Sequence, residues 1–230
     1  MNTRSIVIVS GALVLSSLIL AFGMSRIKNQ QNYVTVKGLS EKEVTADQAW
    51  WSINAQYGAN SIQDIQNKVQ WIQIEIETFL LSKGFVEEEI NIESINIYQN
   101  NYQGARTTLN ADLKISVSTS DVLKVKNASK EIGELLGKGI LIQSDKWASG
   151  PKYYFTRFNE LKKEMIAEAT HVAKEAAQEF AINSGSKVGK IRRANQGVIQ
   201  ILPGNKTQDN EEFYSQKIVR VVSTFDYYLE

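Results

Sequence analysis

Cysteine is absent from the 230-residue chain, and histidine occurs once, at His171. Without a thiol there is no disulfide, no thiolate nucleophile, no thiolate zinc site and no lipidated N-terminal cysteine. An excess of one charge is also missing: 26 Lys and Arg stand against 25 Asp and Glu, a net charge of +1. That balance provides no broad attraction for a phosphate backbone, so no nucleic-acid partner is expected. Low-complexity tracts, repeats of solenoid period and phosphate-cradling loops are lacking as well. The close glycines of "LLGKGILI" and "GSKVGK" read as helix ends and turns.

What is there suits a packed fold. The chain is 43% hydrophobic and 22% charged, enough for one large domain or two small ones. Residues 5–24, "SIVIVSGALVLSSLILAFGM", carry no charge and are followed by Arg26 and Lys28. A cleavable leader has an apolar region of about 7–15 residues, whereas spanning a bilayer takes about 20. The length favours an uncleaved signal anchor over residues 1–25, a transmembrane helix that makes the membrane a partner. Ala21 and Gly23 nevertheless stand where a signal peptidase wants small residues, and either reading exports the rest. Residues 26–32 then form a linker and residues 33–230 an α+β domain, with sub-halves 33–119 and 120–230.

Within that domain "DQAWWSINAQYG" alternates Ala49, Trp51, Ile53, Ala55 and Tyr57 with polar residues, the period of a half-buried strand. "YVTVKG" reads as its partner. Ser61 and Asp64 approximate a capping box, after which Ile62, Ile65, Val69, Ile72, Ile76 and Phe79 follow at helical spacing up to Gly84. Two strands come next, "INIESINIYQN", whose phase changes at Glu93 and Ser94 as at a bulge, and "TTLNADLKISVST". A second helix is capped by Ser120 or Asp121 and runs through Leu136, followed by the strand "GILIQSDKW"; a third helix covers about Phe155–Asn183. The late strands "KVGKIRRANQGVIQIL" and "QKIVRVVSTFDYYL" flank a polar loop, with Val219, Val221, Phe225 and Tyr227 on one face. The sum is an α+β class with largely antiparallel sheet packed on three main helices.

The third helix holds the strongest candidate chemistry. Glu164, Glu168, His171 and Glu175 recur at intervals of three or four, which places them on one side of a helix. A di-metal bundle site needs a second Glu-x-x-His pair, and there is no second histidine to supply it. Ala169, Ala173, Ala177 and Ala181 recur every fourth residue and form a seam that lets the helix pack close to a neighbour. Glu168, His171, Lys174, Glu175 and Gln178 then lie largely away from the seam, on the solvated face, and no catalytic residue, cofactor or metal is expected. The cluster Lys190, Arg192 and Arg193 reads as a solvated strand edge.

Aromatic residues give the interface candidates. Trp50 and Trp51 face opposite sides of one strand, so a core Trp51 leaves Trp50 pointing out. "PKYYFTRF" gathers Tyr153, Tyr154 and Phe158, which suits either a core corner or a contact between subunits.

Taken together, "VTVKGLSEKEVTADQAWWSINAQYG", "SIQDIQNKVQWIQIEIETFLLSKG", "INIESINIYQN", "LNADLKISVS" and the alanine-rich "AEATHVAKEAAQEFAINSGSKVGKI" resemble the SIMPL-domain family, a domain of unknown function in bacterial envelope proteins. The resemblance covers roughly residues 33–200. It implies an α+β fold, export to the periplasm or cell envelope and homo-oligomers, ring-like in some members, and it carries over no catalytic residue. The long apolar segment departs from typical members. On these grounds the expected function is a non-catalytic envelope protein acting by self-association and by binding an envelope protein partner, with a periplasmic small-molecule or peptide-binding module as the alternative.

Overall fold

The computed structural model describes residues 11–22, 32–101, 104, 106–143, 150–207 and 209–230. Helix α1 covers residues 11–22. It is followed by β1 (Tyr33–Thr45), β2 (Gln48–Ala59), α2 (Ile62–Ser82), β3 (Ile90–Gln99), β4 (Leu109–Thr119), α3 (Val122–Lys130), α4 (Gly133–Gly137), β5 (Leu141–Ile142) and β6 (Lys152–Tyr154). Helix α5 (Phe158–Asn183) and strands β7 (Val188–Pro203) and β8 (Gln216–Leu229) complete the chain. Two sheets result, one ordered β1-β8-β7 and one ordered β3-β4-β2-β5, with β6 also paired to β2.

The contacts divide the chain into two compact units. Unit 1 contains residues 1–41, 161–200 and 220–230, and unit 2 contains residues 42–160 and 201–219. These ranges interleave along the sequence, whereas the expected halves 33–119 and 120–230 would cut it once.

The expected membrane-spanning anchor, residues 1–25, falls only in part on described residues, of which 11–22 are helical. Among the described residues no helix is long and apolar enough to cross a membrane. Residues 1–10 and 23–31, which complete the expected segment, lie outside the described residues.

Unit 2 follows its sequence pattern closely. Strands β2 and β4 pair antiparallel, with Trp51 opposite Val117, Ile53 opposite Ile115 and Ala55 opposite Leu113. All six are buried. Helix α2 covers that face with Ile72, Ile76, Phe79 and Leu80, while Ile65 and Val69 pack on Ala59 and Ala111. Its first turn is held by Ser61, whose Oγ accepts the Asp64 N–H at 3.1 Å. Its end turns at Gly84, where φ is +85°, a conformation that glycine adopts without a Cβ penalty. Each large side chain so buried contributes about 1.5–3 kcal/mol.

Two expectations in unit 2 are revised. The single second helix is two, α3 and α4, because Gly133 falls inside the expected span and a mid-helix glycine costs about 1 kcal/mol. Asp121 caps α3 by accepting the Lys124 N–H at 3.0 Å. The three expected helices are therefore four beside α1. The partnership of β1 with β2 is also wrong: β1 pairs with β8 in the other sheet. The residues between β1 and β2 explain it. The Ala46 N–H donates to Ser215 O at 2.8 Å and the Asp47 N–H donates to Tyr154 O at 2.9 Å. The Asp47 carboxylate also accepts from the Thr156 and Arg157 backbone N–H groups at 2.9 and 3.2 Å. Each bond directs the chain onward to a new neighbour, so no hairpin forms.

In unit 1 the alanine seam meets a strand directly. Ala169, Ala173, Ala177 and Ala181 are buried, and Met165 extends their row. A Cβ added at Gly38 of β1 would stand 1.6 Å from Ala169 O and 3.0 Å from Ala173 Cβ. Only glycine permits this approach of strand backbone to helix backbone. Ala173 and Ala177 pack with Val36, Phe225 and Tyr227, so the face expected for β8 is the observed one.

Candidate functional site

The Glu-x-x-His pair of α5 is divided between two surroundings. His171 is 72% exposed, with Nδ1 3.5 Å from Glu175 Oε2. Glu168 takes a different partner, accepting the hydroxyl of buried Ser40 at 2.7 Å. Among the described residues no three His, Cys, Asp or Glu side chains gather to hold a metal ion.

The sequence-derived interface residues separate in space. Tyr153 is a core residue of unit 2, and burial raises its pKa. Trp50, Tyr154 and Phe158 are half-buried. Trp50 and Tyr154 line a shallow recess of about 530 Å³ with Gln48, Ser118, Lys152 and Thr156.

The strand sequence reading did not single out is β3. It is the outermost strand of the five-stranded sheet and, among the described residues, pairs only with β4. Ile92, Ile95 and Ile97 lie opposite Ile115, Leu113 and Ala111, on the face that α2 covers elsewhere. Yet they remain 42–45% exposed. Helix α2 packs on β2 and β4, and β3 extends past it as an apolar ledge. The bulge expected at Glu93 and Ser94 is present as a register shift between Ile92 and Ser94. The one extra residue keeps Ile92 and Ile95 on the same side despite their odd spacing.

The bulge also disposes of the only charge in β3. Glu93 Oε2 is 2.7 Å from Lys114 Nζ on β4. Burial alone pushes the Glu93 carboxyl up, but Lys114, the Ser116 hydroxyl and the Trp50 indole N–H together hold it below the ordinary carboxylate value. Among the described residues no strand pairs with the outer edge of β3, and that edge carries no free charge. Other edge strands are blunted differently, β7 by exposed Lys190, Arg192 and Arg193 and β1 by Lys37, Glu41, Lys42 and Glu43.

A further group that sequence reading missed is Lys217 of β8. It is buried, and its Nζ donates to Glu211 O at 2.6 Å and to the Glu211 carboxylate. The signal was available, since Lys217 shares the parity of Val219 and Val221 and so belongs to the inward face.

A family model described as SIMPL, protein of unknown function (DUF541), matches residues 34–219. No curated protein matches the chain.

Proposed function

The chain belongs to the SIMPL family, and from that premise we propose that it is a non-catalytic, exported protein of the cell envelope that works by self-association along β3. The observation that carries this reading is the isoleucine-bearing edge of β3, whose one charge, Glu93, is paired with Lys114. A long edge with no proline and no free charge is a template for another strand. The occupant that fits is β3 of a second copy. Antiparallel pairing about a two-fold axis would set isoleucine rows side by side, on a ledge that α2 leaves uncovered, and would bring no unpaired like charges together. Export is supported by the uncharged residues 5–24.

The test is the native mass of the full chain by light scattering, compared with an Ile95→Lys, Ile97→Lys variant. A regular oligomer that the variant reduces to monomer, with the same circular dichroism, is the expected result. A monomeric starting protein, or an oligomer indifferent to both lysines, removes the proposal.

A further inference from the structure

The net charge of +1 conceals a division between the two units. Unit 1 holds 12 Lys and Arg against 7 Asp and Glu, whereas unit 2 holds 14 against 18. Unit 1 is thus basic and unit 2 acidic, an asymmetry that points to an anionic partner for the basic part. Much of the excess gathers on one strand. Lys190, Arg192 and Arg193 fall within four residues of β7, just after Lys187, and all four are exposed.

Strand β1 places this cluster on a face. Val34 and Val36 pack with Ala173 and Ala177 of α5, so Tyr33, Thr35, Lys37 and Leu39 point to the opposite side of the sheet. That side is open. Tyr33 is 45% and Leu39 40% exposed, and Thr35 and Lys37 are exposed as well. Strand β8 lies between β1 and β7, yet the Arg192 guanidinium stands 4.1 Å from the centre of the Tyr33 ring. Arg192 therefore extends across β8 on the face of Tyr33, a reach that blocking strand addition at the β7 edge does not require. The acids of this face are engaged: Asp226 accepts the Thr35 hydroxyl at 2.8 Å, and Glu41 Oε1 stands 3.4 Å from Arg220 Nε. The Glu230 carboxylate lies beside Gly189 at the start of β7. Among the described residues Lys37, Lys187, Lys190, Arg192 and Arg193 have no ion-pair partner.

We propose that this basic face of unit 1 docks on a lipid surface rich in anionic headgroups. The sequence keeps such a surface within reach: eight residues, 25–32, separate the uncharged residues 5–24 from Tyr33, a span of at most about 28 Å. Arg26 and Lys28 lie in that span and add to the charge. Each Lys or Arg within a Debye length of anionic headgroups, about 8–10 Å, strengthens adsorption about fivefold. Tyr33 suits the headgroup level, where an amphipathic ring is favoured. Ile191 and Val198 of β7, 48% and 77% exposed, supply apolar area for the boundary beneath it. A nucleic acid fits less well, because a phosphate backbone offers these apolar side chains nothing to enter. The proposal shares residues 5–24 with the proposed function and does not depend on pairing through β3.

Because the chain has no cysteine, Gln196→Cys allows a single fluorophore to be attached at an exposed position of β7. The labelled full chain is reconstituted in vesicles of phosphatidylcholine alone or of equal parts phosphatidylcholine and phosphatidylglycerol, and energy transfer to a headgroup-labelled lipid is measured. Transfer is expected to rise with phosphatidylglycerol and to fall back at about 0.5 M salt. Arg192→Glu with Arg193→Glu should lower the ratio of docked to undocked protein tenfold or more, whereas Arg192→Lys with Arg193→Lys should keep most of it. All these side chains are exposed, and unaltered circular dichroism shows that the variants fold. The Ile95→Lys, Ile97→Lys variant is expected to keep the transfer, so this proposal and the β3 pairing fail separately. Transfer that does not respond to phosphatidylglycerol, transfer that survives the double charge reversal, or tighter binding of a DNA duplex than of the vesicles at equal phosphate concentration each overturns the proposal.

Discussion

In unit 2 the sheet meets its helices through Trp51, Ile53, Ile76, Phe79, Leu80 and Ile115, whereas in unit 1 the backbone of β1 at Gly38 approaches α5 at Ala169 and Ala173 with almost no side chain between. The first contact gains its stability from apolar area removed from water. The second gains it from dispersion between closely spaced backbones and methyl groups, at the cost of tolerating no added atom. The two units therefore have opposite sensitivities. Deleting atoms damages unit 2, and adding them damages unit 1.

The sharpest way to break the comparison is at its large end. Trp51→Ala removes the largest fully buried side chain and leaves a void between β2 and the helices. A cost of about 3–5 kcal/mol is expected, read as a lower urea midpoint. A cost under about 1 kcal/mol would show that unit 2 repacks freely and would end the contrast. Gly38→Ala tests the other side. The new methyl would meet Ala169 O, a backbone atom that no rotamer change can move, and overpacking of this kind costs about 1–3 kcal/mol. Hydrogen exchange should show the loss in the amides of α5. A neutral Gly38→Ala would mean that α5 can withdraw from β1.

How far this contrast is legible in sequence depends on how local its cause is. The four-residue period of Ala169, Ala173, Ala177 and Ala181 announces a close-packed helix, and the Ser61 cap and the isoleucine spacing announce α2. Gly38 is silent, because its role depends on a helix more than 120 residues later in the chain. The pairing of β1 with β8 is hidden for the same reason: strand patterns specify a face but not a partner. Tyr153 and Trp50 read alike as aromatics near a strand, and only the register with β6 buries one and leaves the other beside Glu93. The candidate site is least legible of all. The β3 bulge shows in the phase change at Glu93 and Ser94, but that β3 is an outer strand, and that α2 stops short of it, are facts of topology.

A smaller, pH-dependent effect sharpens the contrast further, because it concerns polar anchoring in unit 2. The Asp47 carboxylate accepts four hydrogen bonds, from the Thr156 N–H at 2.9 Å, the Thr156 hydroxyl at 3.1 Å, and the Arg157 N–H and Nε at 3.2 Å each. Burial works to raise its pKa, but these donors outweigh it and hold Asp47 below its ordinary value of 3.8. A group whose folded pKa is depressed stabilises the fold in full above its unfolded pKa and loses that contribution as pH falls through the folded value. Unit 2 should therefore loosen at the β1–β2 junction as pH falls below about 3.8, with faster exchange at the Thr156 and Arg157 amides. Asp47→Asn should abolish this pH dependence while weakening the same amides at neutral pH, since a neutral amide oxygen is a poorer acceptor. Equal acid sensitivity in wild type and variant would assign the loosening to other carboxylates, and the Lys124–Glu89 pair is then the next to examine, because Glu89 is also held below its ordinary value and its pair with Lys124 measures 2.7 Å.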